Sequence, residues 1–217
     1  MSSIKPLTVW IHGQGPNPFK VLITLEELGL PYETLLMQIS ISDPKEASFL
    51  QINPNGRLPA LKDPDANDLI IWESGAIVEY LVETYDKEHK LTFVSGPEKW
   101  YLKQYLHFQM SGQGPYFGQH IWFRKFHPEQ LPSAKKRYDE QVLRVFDVLN
   151  TILEGKEYLV GDKFTYADLV FIPWNRVVKV ASPDLWTEAE VDEKYPNFAA
   201  WHARLMARPT VEKIFAQ

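Results

Sequence analysis

A change of hydrophobic period near residue 90 constrains this chain more than any other feature. Before it, short apolar runs of strand length alternate with helical patterns, and after it only helical periodicity continues. Leu7 to Ile11 reads as a buried strand. From Asn17 onward Val21, Leu22, Leu25 and Leu28 share one helical stripe, which Gly29 ends. Asn17 is placed at the N-cap and Pro18 at the first helical position, where a missing N–H costs nothing. Tyr32 to Ile39 reads as a second strand, Lys45 to Ile52 as a short helix, and Pro59 to Lys62 with Leu69 to Trp72 as a strand pair. Ser74 is placed as the cap of a helix with an apolar face of Ile77, Val78, Leu81, Val82 and Tyr85. The order β-α-β-α-β-β-α predicts an α/β domain over 1–88, and a polar stretch to about Gly96 reads as a linker.

An all-helical domain is expected over 96–217. A helix from about Pro97 is expected to bend or break at Gly112, Gly114 and Pro115. Tyr138, Val142, Val145, Leu149 and Leu153 mark a long amphipathic helix. Thr165 with Asp168 three residues on has capping-box spacing, and Phe164 with Leu169 has that of a hydrophobic staple.

Composition narrows the function. The 23 basic and 28 acidic residues give a net charge of -5, the wrong sign for a chain that binds by neutralising phosphates. No run of about 18 apolar residues occurs, and Met1 to Trp10 holds no signal-peptide core, so a cytoplasmic protein without a membrane span is expected. There is no cysteine, which removes disulfides, thiolate metal sites and protein-thiol nucleophiles together. Thiol chemistry here would need a ligand that brings the sulfur. The six histidines show no metal-ligand spacing, so no metal is expected.

Three short segments could carry chemistry. In Asn53 to Leu61, a cis Leu58–Pro59 bond would leave the Leu58 N–H and C=O pointing outward, able to dock an extended peptide as an added strand does; an ordinary loop is the alternative. Glu73-Ser74, at a strand end and a helix start, suits an amino-acid head group. Helix N–H groups and the Ser74 hydroxyl would take a carboxylate, and Glu73 an ammonium; a plain cap is the alternative. In Gly15 to Lys20, Asn17 can offer its amide NH2 to a thiolate at the positive end of a helix, or serve as a cap alone.

The runs Arg57-Leu58-Pro59-Ala60-Leu61, Glu73-Ser74-Gly75-Ala76-Ile77 and Gly161 to Asp168, in this order, resemble the cytosolic glutathione transferase superfamily over nearly the whole chain. Pro16 to Lys20, Trp72 to Ile77 and Phe123 to His127 resemble its fungal branch, which includes the globular domain of a yeast nitrogen-regulating prion protein, and that branch is similar to bacterial Nu-class enzymes. The resemblance implies a thioredoxin-like N-terminal domain, an all-helical C-terminal domain, glutathione as co-substrate and a homodimer. It implies that Leu58 meets the cysteinyl part of glutathione, that Glu73 and Ser74 hold the γ-glutamyl end, and that Arg57 and Asn17 line the site. Two positions depart from it. Gly15 stands where Nu-like relatives carry a threonine, and Pro44 stands where relatives hold the glycyl end, which leaves Lys45 as the substitute.

The expected activity is a glutathione transferase whose bound thiolate, assisted by Asn17, attacks an electrophile, a disulfide or a peroxide. Tyr116, Phe117, Trp122, Phe126 and Trp174 are the expected wall of an apolar second-substrate pocket. Arg124 and Arg137 are expected to be solvated or paired within the chain. A non-catalytic glutathione-binding regulator or partner-binding protein, or a glutathione-assisted isomerase in a biosynthetic pathway, are the alternatives.

Overall fold

The computed structural model describes residues 4–13, 15–37, 47–188 and 190–216. It divides into two compact units, Met1–Glu88 together with Lys213–Gln217, and His89–Glu212.

The first unit is built on a four-stranded sheet of order β2-β1-β3-β4, formed by β1 (Leu7–Ile11), β2 (Tyr32–Leu36), β3 (Ala60–Asp63) and β4 (Leu69–Trp72). β1 and β2 are parallel, and β3 is antiparallel to both β1 and β4, which is the expected thioredoxin-like arrangement. The helices are α1 (Pro16–Leu28), α2 (Ala47–Ile52) and α3 (Ser74–Tyr85). α1 is apolar enough to bury Phe19, Val21, Leu22, Ile23 and Leu25, and α3 buries Ile77, Val78, Leu81 and Val82. Gly29 ends α1 in the left-handed conformation, its N–H bonding to Glu26 O, as its lack of a Cβ permits.

Two cap assignments are corrected. α1 starts at Pro16 with Gly15 as its extended N-cap, so Asn17 occupies the second helical position. Proline disfavours helical backbone in the residue before it; Gly15 takes the extended conformation ahead of Pro16, whereas Asn17 is helical ahead of Pro18 despite that bias. At α3 the N-cap is Glu73, and Ser74 is the first helical residue.

The second unit contains α4 (Glu98–Phe108), α5 (Gly114–Ile121), α6 (Pro132–Ile152), α7 (Tyr166–Leu169), α8 (Ile172–Ala181), α9 (Pro183–Glu188), α10 (Val191–Lys194) and α11 (Pro196–Met206), with α12 (Pro209–Phe215) closing the chain. No strand occurs among its described residues. The expected interruption near Gly112 and Pro115 takes the form of a wide π-helical turn, Gln109–Gln113, which carries α4 into α5 without a break in direction of winding. Pro115 has no N–H to continue the regular ladder, and π turns absorb such a lapse. A second π turn, Trp122–Phe126, ends α5.

Asp168 organises the core of this unit. Its carboxylate accepts from Leu159 N–H (2.9 Å), Thr165 N–H and Oγ1 (3.0 Å each) and Trp201 Nε1 (2.9 Å), while Thr165 and Asp168 form the expected capping box. Buried His120 links Asp139 through Nδ1 and Ser182 through Nε2, each at 2.8 Å. Arg124 is paired within the chain, its guanidinium bonded to Asp139 and Asp184. The end of the chain belongs with the first unit rather than the helical one: Lys213 pairs with Glu26 at 2.7 Å, and the Phe215 ring meets the edge of Phe19. No helix among the described residues is long and apolar enough to cross a membrane.

Candidate functional site

The sheet register brings three separate segments to one edge of the first unit. Trp10, Ala60 and Trp72 are consecutive partners across β1, β3 and β4. β1 and β4 both run antiparallel to β3, so they are parallel to each other and end at the edge where β3 begins. From that edge leave the turn into α1 with Asn17, the segment Arg57-Leu58-Pro59 entering β3, and the Glu73-Ser74 junction into α3. Both helices start there, so the positive ends of two helix dipoles face the same edge.

Each segment is held from below. Asn53 is buried, donates from Nδ2 to Arg57 O at 2.6 Å and accepts from Asn55 N–H at 2.9 Å, and Gly56 N–H bonds to Asn53 O. Gly56 has φ 63, a value that favours glycine, and it turns the chain into Arg57. The Leu58–Pro59 bond is cis, the first of the two readings of this segment. The Leu58 side chain is buried with Phe49 and Ala60, which anchors the backbone at this edge, whereas Arg57 is exposed. Asn53→Ala is expected to lower stability by about 1 kcal/mol, because it removes both hydrogen bonds by which one buried side chain holds the turn; a denaturant midpoint checks this.

Glu73 has φ 74 and ψ 114, a backbone conformation rare for a residue with a side chain and costing roughly 1–3 kcal/mol. The strain places the exposed Glu73 carboxylate at the mouth of the edge while Ser74, 3% exposed, turns inward.

Lys20 is a further residue of this edge that no motif marks. It is 1% exposed, in the midst of the α1 apolar residues, and its Nζ lies 3.4 Å from Ser74 Oγ. Burial pushes its ammonium down to about 7, and the Glu73 carboxylate acts in the opposite sense. The signal was there: a lysine within a run of Phe19, Val21, Leu22 and Ile23 is costly unless it faces something charged. Lys20 is one helical turn beyond Asn17, so the two share a face of α1. Pro16 and Pro18 have no N–H, so Asn17 supplies the only backbone donor of the first three helical positions. A Cβ on Gly15 would lie 2.7 Å from His12 Cε1, so the His12 ring fills the space that a larger residue at 15 would need. Partial burial pushes the His12 imidazole down, and it is neutral at neutral pH.

The edge therefore offers an exposed carboxylate, a buried hydroxyl backed by a lysine, two helix N-termini and an anchored backbone segment. That set suits an amino-acid head group joined to an extended peptide. Lys45 lies outside the described residues.

The aromatic residues expected as a pocket wall separate into different roles. Phe117 is wholly buried, edge-on to Phe146, and is a core residue rather than a wall: it lies on the inner face of α5 against α6. Tyr116 is half-buried beneath the Arg144 guanidinium. Trp174 is half-buried where Gly114 and Gly118 leave room for its indole. Trp122 is half-buried beside Phe126, which is 51% exposed.

Residues 5–83 match the family model of the glutathione S-transferase N-terminal domain, and residues 114–209 that of the C-terminal domain. The glutathione S-transferase-like protein gedE of Aspergillus terreus is 46% identical, over 100% of this chain and 97% of its own. Glutathione S-transferase 1 of Schizosaccharomyces pombe is 43% identical, over 97% of this chain and 95% of its own. The crystal structure of glutathione transferase URE2P8 from Phanerochaete chrysosporium with oxidized glutathione matches with a TM-score of 0.91 at 38% identity, covering 100% of this chain and 96% of that one.

Proposed function

The chain belongs to the glutathione S-transferase family, and on that premise we propose that it is an enzyme that activates the thiol of bound glutathione for attack on a second substrate. The convergence of Asn17, Leu58, Glu73 and Ser74 on one sheet edge carries this reading. The γ-glutamyl carboxylate meets Ser74 Oγ and the α3 N-terminus, with Lys20 behind the hydroxyl, and Glu73 accepts from the γ-glutamyl ammonium. The Leu58 backbone pairs with the cysteinyl residue, and Arg57 lines the approach. The sulfur lies toward Asn17, whose N–H and amide NH2 donate to it as the α1 dipole stabilises the thiolate.

The thiolate then attacks an electrophilic carbon and displaces its leaving group, or attacks a disulfide sulfur and releases the other sulfur as thiolate. Neither reaction needs a protein cysteine. Tyr116, Trp122, Phe126 and Trp174 are proposed to receive the apolar part of the second substrate. The protein is proposed to act as a homodimer in the cytoplasm.

Calorimetric titration of glutathione into Ser74→Ala and Glu73→Gln tests the assignment. Each is expected to weaken binding by roughly tenfold or more while the protein stays folded. Undiminished affinity in both would remove the γ-glutamyl assignment. Full glutathione affinity without turnover of an aryl halide or a small disulfide would instead identify a non-catalytic glutathione-binding protein.

A further inference from the structure

A thiol that becomes a thiolate must pass its proton to a base. Asn17 and the N–H groups of the α1 N-terminus donate to sulfur, and none of them holds a basic lone pair. No hydroxyl or thiol occurs from Ile11 to Lys20. The charged side chains of this edge are engaged elsewhere. Lys20 Nζ turns toward Ser74 Oγ at 3.4 Å, Glu73 stands at the β4–α3 junction, and the exposed Arg57 guanidinium keeps its protons at any ordinary pH.

His12 is the first residue beyond β1, and its imidazole lies over Gly15, the N-cap of α1. A Cβ on Gly15 would lie 2.7 Å from His12 Cε1 and 3.2 Å from Nε2, so this end of the ring occupies the place of a side chain at 15. Gly15 has φ -73 and ψ 133, a conformation open to any residue, so the ring rather than the backbone accounts for the glycine. Gly15 N–H bonds to His12 O at 3.3 Å, which ties the backbone of His12 to the start of the helix. Gly15 and Asn17 are about 3 Å apart along the helix axis, close enough for one sulfur atom to touch both the imidazole and the Asn17 amide. The residue is exposed, so a ligand can reach the ring. The imidazole is in the state a base requires before the ligand arrives: partial burial favours its neutral form, with its own backbone acting in the opposite sense.

We propose that His12, in its Nδ1–H tautomer, is the catalytic base that takes the thiol proton of bound glutathione on Nε2, an assignment that rests on the glutathione site proposed above. The S–H bond breaks, its electron pair stays on sulfur, and an Nε2–H bond forms. The thiolate is then held between the imidazolium, Asn17 and the α1 N-terminus, as in other nucleophiles activated by an adjacent imidazole. When the thiolate attacks a disulfide, the imidazolium returns the proton to the departing thiolate. When it displaces a halide from carbon, halide leaves with the bonding pair and the proton passes to water. Either course regenerates the neutral ring.

Nuclear magnetic resonance of protein labelled with 13C at histidine Cε1 tests this, with His12→Gln assigning the His12 signal. Saturating glutathione at neutral pH is expected to move that signal to the imidazolium position. S-hexylglutathione fills the same site but has no thiol proton to give, and is expected to leave it at the neutral position. In His12→Gln the midpoint of bound-thiolate absorbance is expected to rise by at least about one unit toward the free-thiol value, tenfold less thiolate at neutral pH. Gly15→Ala, whose Cβ displaces the ring, is expected to move it in the same direction. A His12 signal that stays neutral with glutathione overturns the proposal, as does one that becomes cationic with both ligands, or a midpoint unmoved in His12→Gln. Binding of neither ligand, seen by calorimetry, would remove the glutathione site itself and this base with it.

Discussion

Asp168→Ala is expected to destabilise the helical unit by about 4 kcal/mol, because it leaves four donors without their acceptor at a buried site. Those donors are Leu159 N–H, Thr165 N–H, Thr165 Oγ1 and Trp201 Nε1, and the carboxylate that joins them is wholly buried. The loss reaches beyond a helix cap. One Asp168 oxygen fixes the start of α7 through Thr165, whereas the other holds Leu159 and the Trp201 indole of α11. Asp168→Asn keeps one acceptor oxygen and is expected to lose about half as much. Denaturant unfolding followed by tryptophan fluorescence checks both. Equal, small losses for the two would mean that the buried donors find other acceptors.

The second large effect is expected at Lys20 and runs in opposite directions for stability and binding. An ammonium buried in this fold is disfavoured, so between about pH 7 and 10.5 the folded state holds fewer protons than the unfolded chain. Stability therefore rises with pH across that window, and below it the charged Lys20 weighs against the fold. Lys20→Met removes the burden, and its melting temperature below neutral pH is expected to exceed that of the parent by roughly 2–4 °C. The same change removes the cation behind Ser74, and glutathione affinity is expected to fall roughly 30-fold, the equivalent of one charge-assisted hydrogen bond. A variant that is both more stable and weaker in binding identifies a group retained for its ligand. A variant that is less stable and still binds would make Lys20 a packing residue.

Much of this was legible in the sequence because it depends on local pattern. Strand and helix periods placed β1, β4, α1 and α3 within a residue or two, the stripe from Tyr138 to Leu153 marked α6 but not its first turns from Pro132, and the Thr165-x-x-Asp168 spacing located the capping box. Leu58, Glu73 and Ser74 stand out as candidates because each sits where a strand ends or begins, a position that turn chemistry and family motifs both mark. Less legible were features set by geometry in three dimensions. The helix starts at Pro16 and Ser74 were each misjudged by a residue or two, since a side chain able to cap says nothing about which backbone conformation the turn requires. The positive φ of Glu73 is imposed by the β4–α3 junction and leaves no trace in the residue itself. Phe117 read as a pocket wall because an aromatic on an amphipathic helix can face either way, and only the α5 and α6 packing decides it. Lys20 was hidden by its apolar neighbours, whose helical stripe absorbed the whole segment.

The sheet edge is proposed above all to bind glutathione with its sulfur at the start of α1, in an environment that favours the thiolate. The ultraviolet absorbance of the bound thiolate, followed against pH, tests this most directly. The expected midpoint lies at least about one unit below the ordinary thiol value near 8.5 and moves back toward it in Asn17→Ala. Glutathione that binds with an unshifted or raised midpoint would contradict it.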